Sequence, residues 1–210
     1  MKTLNDISEQ LQTGNSDEVI RLIGKALAEK ITPAIILNNG LIQGMDIIGK
    51  KFKAGEIFIP NVLIAARAMN GGIEILEPHL AAAGVEPKGK LLIGTVHGDL
   101  HNIGKTLVNI MFKGAGFKIV DLGVNVPAEK FLEAAKQEKP DVIGLSALLT
   151  TTMLNMNTTV SLLRENGINI PIIIGGAPTS AQYADSIKAD FWAQTASDGV
   201  EMVRDYLATT

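Results

Sequence analysis

The chain contains no cysteine among its 210 residues. This absence excludes disulfide bonds, zinc sites with thiolate ligands, cysteine-ligated iron–sulfur clusters and a cysteine nucleophile. Only three histidines are present. A metal ion must therefore be held by histidine or oxygen ligands, or must arrive inside a cofactor.

Aromatic residues, a net charge of one sign and long apolar runs are also scarce. Aromatics make up 4% of the chain against 46% hydrophobic residues, so the core must consist mainly of aliphatic side chains and Met. The formal net charge of -3, with both signs interspersed, leaves no basic stripe for nucleic acid. No apolar run approaches the ~20 residues of a membrane span, and the N-terminus lacks a signal-peptide pattern. We therefore expect a cytoplasmic protein with no nucleic-acid or membrane partner.

The first part of the chain has a helical pattern. Over residues 1–83 apolar residues recur at three- and four-residue steps, which predicts four helices. Ser16-Asp17-Glu18 is a candidate cap for the second helix, and Pro33 and Pro60 are placed to open the third and fourth. Lys53-Ala54-Gly55 separates the last two. Such short connections favour an antiparallel bundle.

A segment rich in Pro, Gly and charge, residues 84–90, predicts a linker. Beyond it, apolar strand patterns alternate with helical ones. Strands are predicted at 91–96, 118–122, 141–147, 171–175 and, from a weaker pattern, 190–193, and helices at about 103–115, 128–138, 153–166, 180–188 and 198–208. This alternation predicts a doubly wound parallel α/β sheet. We thus expect a helical domain over 1–86 and an α/β domain over 87–210.

Three clusters of small and polar residues follow predicted strand ends. Gly98-Asp99-Leu100-His101-Asn102-Ile103-Gly104 follows the first strand, Ser146-Ala147-Leu148 the third and Gly175-Gly176 the fourth. Ligands of open α/β sheets bind at the carboxyl ends of the strands, where the strand order reverses. In a 2-1-3-4-5 order these clusters would line one rim, so we expect one site.

Several familiar sites do not fit this rim. The loop over 98–104 has neither the G-x-G-x-x-G nor the G-x-x-x-x-G-K-[ST] spacing. A receiver-type phosphorylation site would need an acidic residue where Ser146 stands. His97 and His101 have no further His or Cys on the rim to complete a mononuclear metal site.

The order and spacing of the clusters resemble the cobalamin-binding signature of corrinoid-dependent methyltransferases and mutases. Asp99-x-His101-x-x-Gly104 is separated by the 41 residues 105–145 from Ser146-x-Leu148, and by the 26 residues 149–174 from Gly175-Gly176. Val120-Asp121-Leu122-Gly123 agrees with the same family. The segment from Phe52 to Pro60 resembles the helical cap module of methionine synthase. The chain is most similar to the small corrinoid proteins of methylamine, methanol and methoxy-aromatic methyl-transfer systems, which implies a flavodoxin/Rossmann-like second domain.

The resemblance implies a cobalamin or related corrinoid bound in base-off form, with His101 as the lower axial ligand to cobalt. The second imidazole nitrogen then needs an acceptor to fix the tautomer, and Asp99 is placed to be that acceptor. By resemblance, a hydroxyl residue completes the relay, and Thr152 stands where methionine synthase has a serine. Asp99, His101 and Thr152 are therefore the candidate catalytic residues.

Further contacts to the corrinoid are implied at other positions: Gly98, Asn102, Ile103, Gly104, Ser146, Leu148, Thr150, Gly175, Gly176 and, from the cap, Phe52 and Ile59. Ordinary structural roles remain open for several of these residues. Asp99 could cap the helix predicted at 103–115, and Ser146 and Thr150 could satisfy backbone groups. Phe52 and Ile59 could be bundle core.

The implied function is that of a methyl carrier. It accepts a methyl group on Co(I) from a substrate:corrinoid methyltransferase and passes it from methyl-Co(III) to a corrinoid:tetrahydrofolate or corrinoid:thiol methyltransferase, with a reductive activator as third partner. Two alternatives are the cobalamin-binding small subunit of an adenosylcobalamin-dependent mutase and a corrinoid-sensing regulator. The helical segment argues against the mutase subunit, and the mixed charge of residues 1–30 argues against a DNA-binding regulator.

Overall fold

The structure is a computed structural model that describes residues 2–209. The chain divides into two compact units. The first ends at Pro87, and the second begins at Lys88, except that Gly114–Gly116 group with the first.

The first unit is helical. Its elements are α1 (Lys2–Thr13), α2 (Ser16–Ala28), α3 (Pro33–Ile36), a π-helical segment (Leu37–Ile42), α4 (Gln43–Lys53) and α5 (Ile59–Ala82). Because α3, the π-helical segment and α4 follow one another without a break, the unit has the four predicted helical stretches. Its core comprises fully buried aliphatic side chains from each stretch, among them Ile7, Ile23, Leu41 and Leu76. Within residues 2–209, no helix combines the length and the apolar character needed to cross a membrane.

Local details of the helix starts differ from the predictions. Asn15, rather than Ser16-Asp17-Glu18, caps α2, because its Oδ1 accepts a hydrogen bond from the Glu18 amide at 3.3 Å. Pro33 does open α3. The π-helical segment has no counterpart in the sequence pattern. It brings Gly40 so close to α1 that a Cβ at Gly40 would lie 3.0 Å from a methyl carbon of Ile7.

The second unit alternates strands and helices. Its elements are β1 (Lys90–Thr95), α6 (Ile103–Gly114), β2 (Lys118–Asp121), α7 (Ala128–Glu138), β3 (Val142–Ser146), α8 (Thr150–Glu165), β4 (Ile172–Gly175), α9 (Ala181–Ser186), β5 (Phe191–Ala193) and α10 (Ala196–Thr209). The strands form one parallel sheet in the order β2-β1-β3-β4-β5. The predicted fold, a helical segment followed by a doubly wound five-stranded α/β domain, is confirmed. Helix α8 starts at Thr150, three residues before the predicted start at 153. The prediction missed this first turn because Thr150-Thr151-Thr152 carries no apolar period.

The core of the second unit lies on the central strands. Leu92, Ile143 and Ile174 are fully buried and pack with Phe131 of α7 and Met156 of α8. The helix α7 packs close to β1 because position 94 is glycine. A Cβ at Gly94 would lie 2.7 Å from the Phe131 ring. The central strands β1, β3 and β4 thus reach the rim as part of the packed core.

The Phe131 ring should contribute heavily to the stability of this unit. Since it is 0% exposed, Phe131→Ala leaves a cavity and should lower the free energy of unfolding by about 3–5 kcal/mol. Leu154→Ala, which removes a side chain that is 63% exposed, should change it by less than about 0.5 kcal/mol. Urea unfolding of both variants measures the difference. Equal losses in the two variants would contradict this description of the core.

Candidate cofactor site

The carboxyl ends of three strands meet at one rim. In the sheet, Thr95 of β1 is paired in register with Ser146 of β3, and Ser146 with Gly175 of β4. The structure therefore brings the three sequence clusters together. The predicted site residues found at or directly after these strand ends are Gly98, Asp99, His101, Asn102, Ile103, Gly104, Ser146, Leu148, Thr150, Thr152, Gly175 and Gly176.

A buried carboxylate lies at the centre of this rim. Asp99 is 1% exposed. Its Oδ1 accepts from the His101 amide at 3.0 Å and is 2.8 Å from His101 Nδ1. Its Oδ2 accepts from the Leu148 amide at 2.8 Å and from Thr152 Oγ1 at 2.6 Å. One side chain thus links the loop after β1 to the loop after β3, and its carboxylate caps neither end of α6.

These contacts determine the charge of Asp99. Burial by itself raises the pKa of this carboxyl, but the hydrogen bonds from Thr152, Leu148 and His101 outweigh it and hold the pKa well below its usual range. The carboxylate is therefore ionised at neutral pH. An ionised carboxylate only accepts hydrogen bonds, so His101 Nδ1 carries the hydrogen in this contact, and a neutral imidazole in this tautomer has its lone pair on Nε2. The His101 side chain is 51% exposed.

Side chains that the sequence did not single out hold the backbone of this loop. Thr95 Oγ1 donates to the carbonyl of His101 at 3.0 Å, and Asn155 Nδ2 donates to the carbonyl of His97 at 2.8 Å. Asn125 binds the main chain between these two points. Thr95 is the last residue of a strand, but a lone Thr or Asn gives no sequence signal for such a contact.

Several large aliphatic side chains of the rim segments are exposed. Leu100 of the loop after β1 is 72% exposed and Ile103, the first residue of α6, is 69% exposed, and Leu148 and Leu149 are 43% and 44% exposed after β3. An isolated exposed leucine is ordinary, but several exposed aliphatic side chains at one rim are typical of a binding surface.

The fold requires glycine at one of the three rim positions but not at the other two. Gly176 has φ +129°, and a Cβ there would lie 1.8 Å from the Ala147 carbonyl oxygen, so the close approach of the two loops requires glycine. A Cβ at Gly175 would lie 3.4 Å from the nearest atom, an ordinary contact. At Gly104 a Cβ meets nothing within 4 Å. The fold of this chain therefore does not explain Gly104.

The remaining predicted contacts are distributed more widely. Ser146 ends β3, and its carbonyl accepts from the Val96 amide at 3.0 Å. Thr150 begins α8 and is exposed. Phe52 lies near the end of α4, and Ile59 begins α5 and is 39% exposed. Both belong to the first unit, and their contacts to a corrinoid stay predictions.

The motif Val120-Asp121-Leu122-Gly123 holds α6 through its Asp121 side chain. Asp121 ends β2 and forms an ion pair with Lys105 of α6, which is 4% exposed. Its Oδ2 also accepts from Asn109 Nδ2 at 2.7 Å, and its Oδ1 accepts from the Gly123 amide at 2.8 Å. This cluster holds the helix that follows the His101 loop.

Comparison with known protein families identifies the family to which this chain belongs. The family model of the B12 binding domain matches residues 89–201, and a second B12 binding domain model matches residues 3–77. The chain belongs to the B12-binding corrinoid proteins. The B12 binding domain match covers the strands and loops that form the rim, and the helical match covers the first unit. The predicted family is thereby confirmed.

Individual relatives align along nearly the whole chain. A corrinoid protein of Desulfitobacterium hafniense is 40% identical over 99% of this chain and 98% of its own length. Trimethylamine corrinoid protein 1 of Methanosarcina acetivorans is 41% identical over 97% of this chain and 93% of its own. The methanol:cobalamin methyltransferase complex of Methanosarcina barkeri contains a chain with 31% identity and a TM-score of 0.91, matched over 100% of this chain and 81% of that one.

Gly176 should tolerate alanine much less well than a glycine that only needs a positive φ. Gly167 has φ +74°, and a Cβ added there would meet nothing within 4 Å, so Gly167→Ala should cost about 1–2 kcal/mol. Gly176→Ala adds a collision with backbone and should cost at least about 1 kcal/mol more. Urea unfolding compares the two. A smaller loss for Gly176→Ala would contradict the contact with Ala147.

The charge of Asp99 should make stability depend on pH. Its folded pKa lies below its ordinary value of 3.8, so its contribution is complete above that value and is lost as the pH falls through the folded pKa. Asp99→Asn lacks this contribution. The difference in free energy of unfolding between wild type and variant should thus be largest at neutral pH and smaller at about pH 3. A difference that does not change with pH would contradict the assignment.

Proposed function

We propose that this protein carries a methyl group on a base-off corrinoid whose cobalt is ligated from below by His101 Nε2. The observation that carries the proposal is the exposed His101 imidazole whose Nδ1 is held at 2.8 Å by the buried Asp99 carboxylate. A ligating histidine needs such a partner on its second nitrogen to fix its tautomer and direction. Membership in the corrinoid proteins supports the same interpretation.

The donor set at the rim fits a corrin. Within the described residues, no group of three or more His, Cys, Asp or Glu is placed to hold a metal ion. A corrin would bring its own nitrogen ligands to the cobalt, so the protein would need to supply a single further donor, for which His101 is the candidate. A single half-exposed imidazole with a free Nε2 lone pair meets this need.

The surroundings of His101 also fit a large, flat and partly apolar ligand. The exposed aliphatic side chains of Leu100, Ile103, Leu148 and Leu149 supply apolar contact area at the same rim. Gly104 opens the space at the start of α6, where a side chain would meet no atom of this chain. We propose that this space accommodates part of the corrinoid. Gly98, Asn102, Ser146, Thr150, Gly175 and Gly176 complete the proposed contacts.

When bound, the corrinoid supplies a cobalt centre that accepts and releases a methyl group. The chain would supply the imidazole of His101 and hold it by its second nitrogen. Asp99 stays ionised because four hydrogen bonds stabilise the carboxylate, so it acts toward His101 only as a hydrogen-bond acceptor. Thr152 stabilises the carboxylate through Oδ2. Its hydroxyl also lies 3.0 Å from the Leu149 carbonyl, which gives this single hydrogen a second acceptor.

The proposed partners follow from the relatives. Those relatives include corrinoid proteins named for dimethylamine and trimethylamine, and a solved complex with methanol:cobalamin methyltransferase. We propose a substrate:corrinoid methyltransferase as methyl donor, a tetrahydrofolate or thiol methyltransferase as acceptor, and a reductive activator. Phe52 and Ile59 of the helical domain, residues 1–86, are the proposed cap contacts of the methyl group.

The test compares wild type, His101→Ala and His97→Ala after reconstitution with hydroxocobalamin. Wild type should bind the corrinoid, give the absorption spectrum of an imidazole-ligated base-off form, and accept radiolabelled methyl groups from a methylamine or methanol methyltransferase. His101→Ala should lose the imidazole-ligated spectrum and bind at least about tenfold more weakly. His97→Ala, which removes an exposed histidine from the same loop, should behave like wild type.

Two results would overturn the proposal. The first is a wild-type protein that retains no corrinoid. The second is a His101→Ala protein whose spectrum still shows a histidine ligand.

A further inference from the structure

The loop between β1 and α6, residues 96–102, has to hold His101 in one direction without regular secondary structure of its own. Gly98 has φ +79°, and the Leu100 side chain is 72% exposed. A ligating side chain must be held within about 0.5 Å of its productive position, which requires support from neighbouring elements. Asp99 supports the imidazole, so the backbone that carries Asp99 must itself be held in place.

Asn125 binds the loop on both sides of the Gly98–Asp99 peptide bond. Its side-chain Oδ1 accepts from the Gly98 amide at 2.7 Å. Its own amide donates to the Asp99 carbonyl at 2.9 Å. One bond holds the amide of Gly98 and the other holds the carbonyl of Asp99. Together they fix the backbone of both residues and so the direction in which the Cα–Cβ bond of Asp99 points.

Asn125 itself stands on a firmly held segment. The Thr95 amide donates to the Gly123 carbonyl at 3.0 Å, and the Val126 amide donates to the Thr95 carbonyl at 2.9 Å. Val96 and Val126 form a further parallel bridge. The chain after β2 therefore continues alongside β1, and Asn125 transmits the position of the sheet to the loop.

We infer that Asn125 is a positioning residue for the axial ligand, acting on His101 through the backbone of Gly98 and Asp99. The inference rests on the proposed role of His101. It adds to the three-residue network a fourth member that touches neither the imidazole nor the Asp99 carboxylate.

The backbone of Asn125 explains why asparagine suits this position. Its φ is +52°, the left-handed region in which Gly, Asn and Asp are the residues most easily accommodated. Glycine would keep this conformation but would lose the acceptor for the Gly98 amide. Aspartate would keep both the conformation and an acceptor oxygen. The two substitutions therefore separate the hydrogen bond from the backbone shape.

The experiment uses the whole chain with ¹⁵N-labelled histidine, first without and then with hydroxocobalamin. Because the chain has three histidines, the ring nitrogens of His101 can be assigned with the His101→Ala variant. In the corrinoid-free protein above neutral pH, wild type and Asn125→Asp should show the Nδ1–H tautomer of His101. Asn125→Gly should shift the ring toward the Nε2–H tautomer and weaken corrinoid binding by about tenfold.

Lys139→Gly is the matched control, because Lys139 has φ +46° at the end of α7 and lies outside the rim. It should leave the tautomer and the affinity unchanged.

The inference is overturned if Asn125→Gly matches wild type, if Asn125→Asp matches Asn125→Gly, or if Asn125→Gly prevents folding in urea titrations, since the assigned role is orientation. The tautomer measurement needs no corrinoid. A wild type that fails to bind corrinoid would therefore refute the proposed function while the tautomers still decide the inference.

Discussion

The Asp99 carboxylate is the constraint on which the rest of the site depends. A buried carboxylate is costly unless each oxygen is satisfied, and Asp99 meets this condition by accepting from two loops at once. The same hydrogen bonds that keep it ionised also fix its geometry. The His101 side chain is consequently held by a carboxylate of fixed geometry, which is what its proposed role as a metal ligand needs.

The sheet makes this arrangement possible. Because β1 and β3 are parallel neighbours in register, the loop that carries Asp99 and the segment that leads from β3 to Thr152 of α8 leave the sheet side by side. Gly176 lets the loop after β4 approach the Ala147 carbonyl, where any side chain would collide. Asn125, in the segment after β2, accepts a hydrogen bond from the Gly98 amide and so connects this segment to the loop after β1. Segments after β2 and β3 therefore bond the loop that carries His101, and the loop after β4 packs against the loop after β3.

Much of the fold could be predicted from local patterns. Apolar periodicity and the positions of Pro and Gly determine element type, so the helical segment, the alternating strands and helices, and their approximate bounds follow from the sequence. Helix ends were less predictable. The cap of α2 depends on one Asn15 side-chain hydrogen bond, and the early start of α8 lies in a run of threonines without apolar period. The π-helical segment places Gly40 against α1, and no local pattern encodes such a tertiary contact.

The candidate site also has features that follow from the sequence and features that depend on tertiary structure. The sequence by itself determined the family and its corrinoid cofactor, because Asp99-x-His101-x-x-Gly104, Ser146-x-Leu148 and Gly175-Gly176 together resemble the cobalamin-binding signature. Only the tertiary structure decided which groups hold these residues. Thr95, Asn125 and Asn155 act on main-chain atoms that are near them in space but, for Asn125 and Asn155, 27 and 58 residues away in sequence. Such contacts depend on strand order and register. Because every residue has a main-chain carbonyl, and all but proline an amide, a bond to the main chain does not restrict which amino acid stands at the partner position.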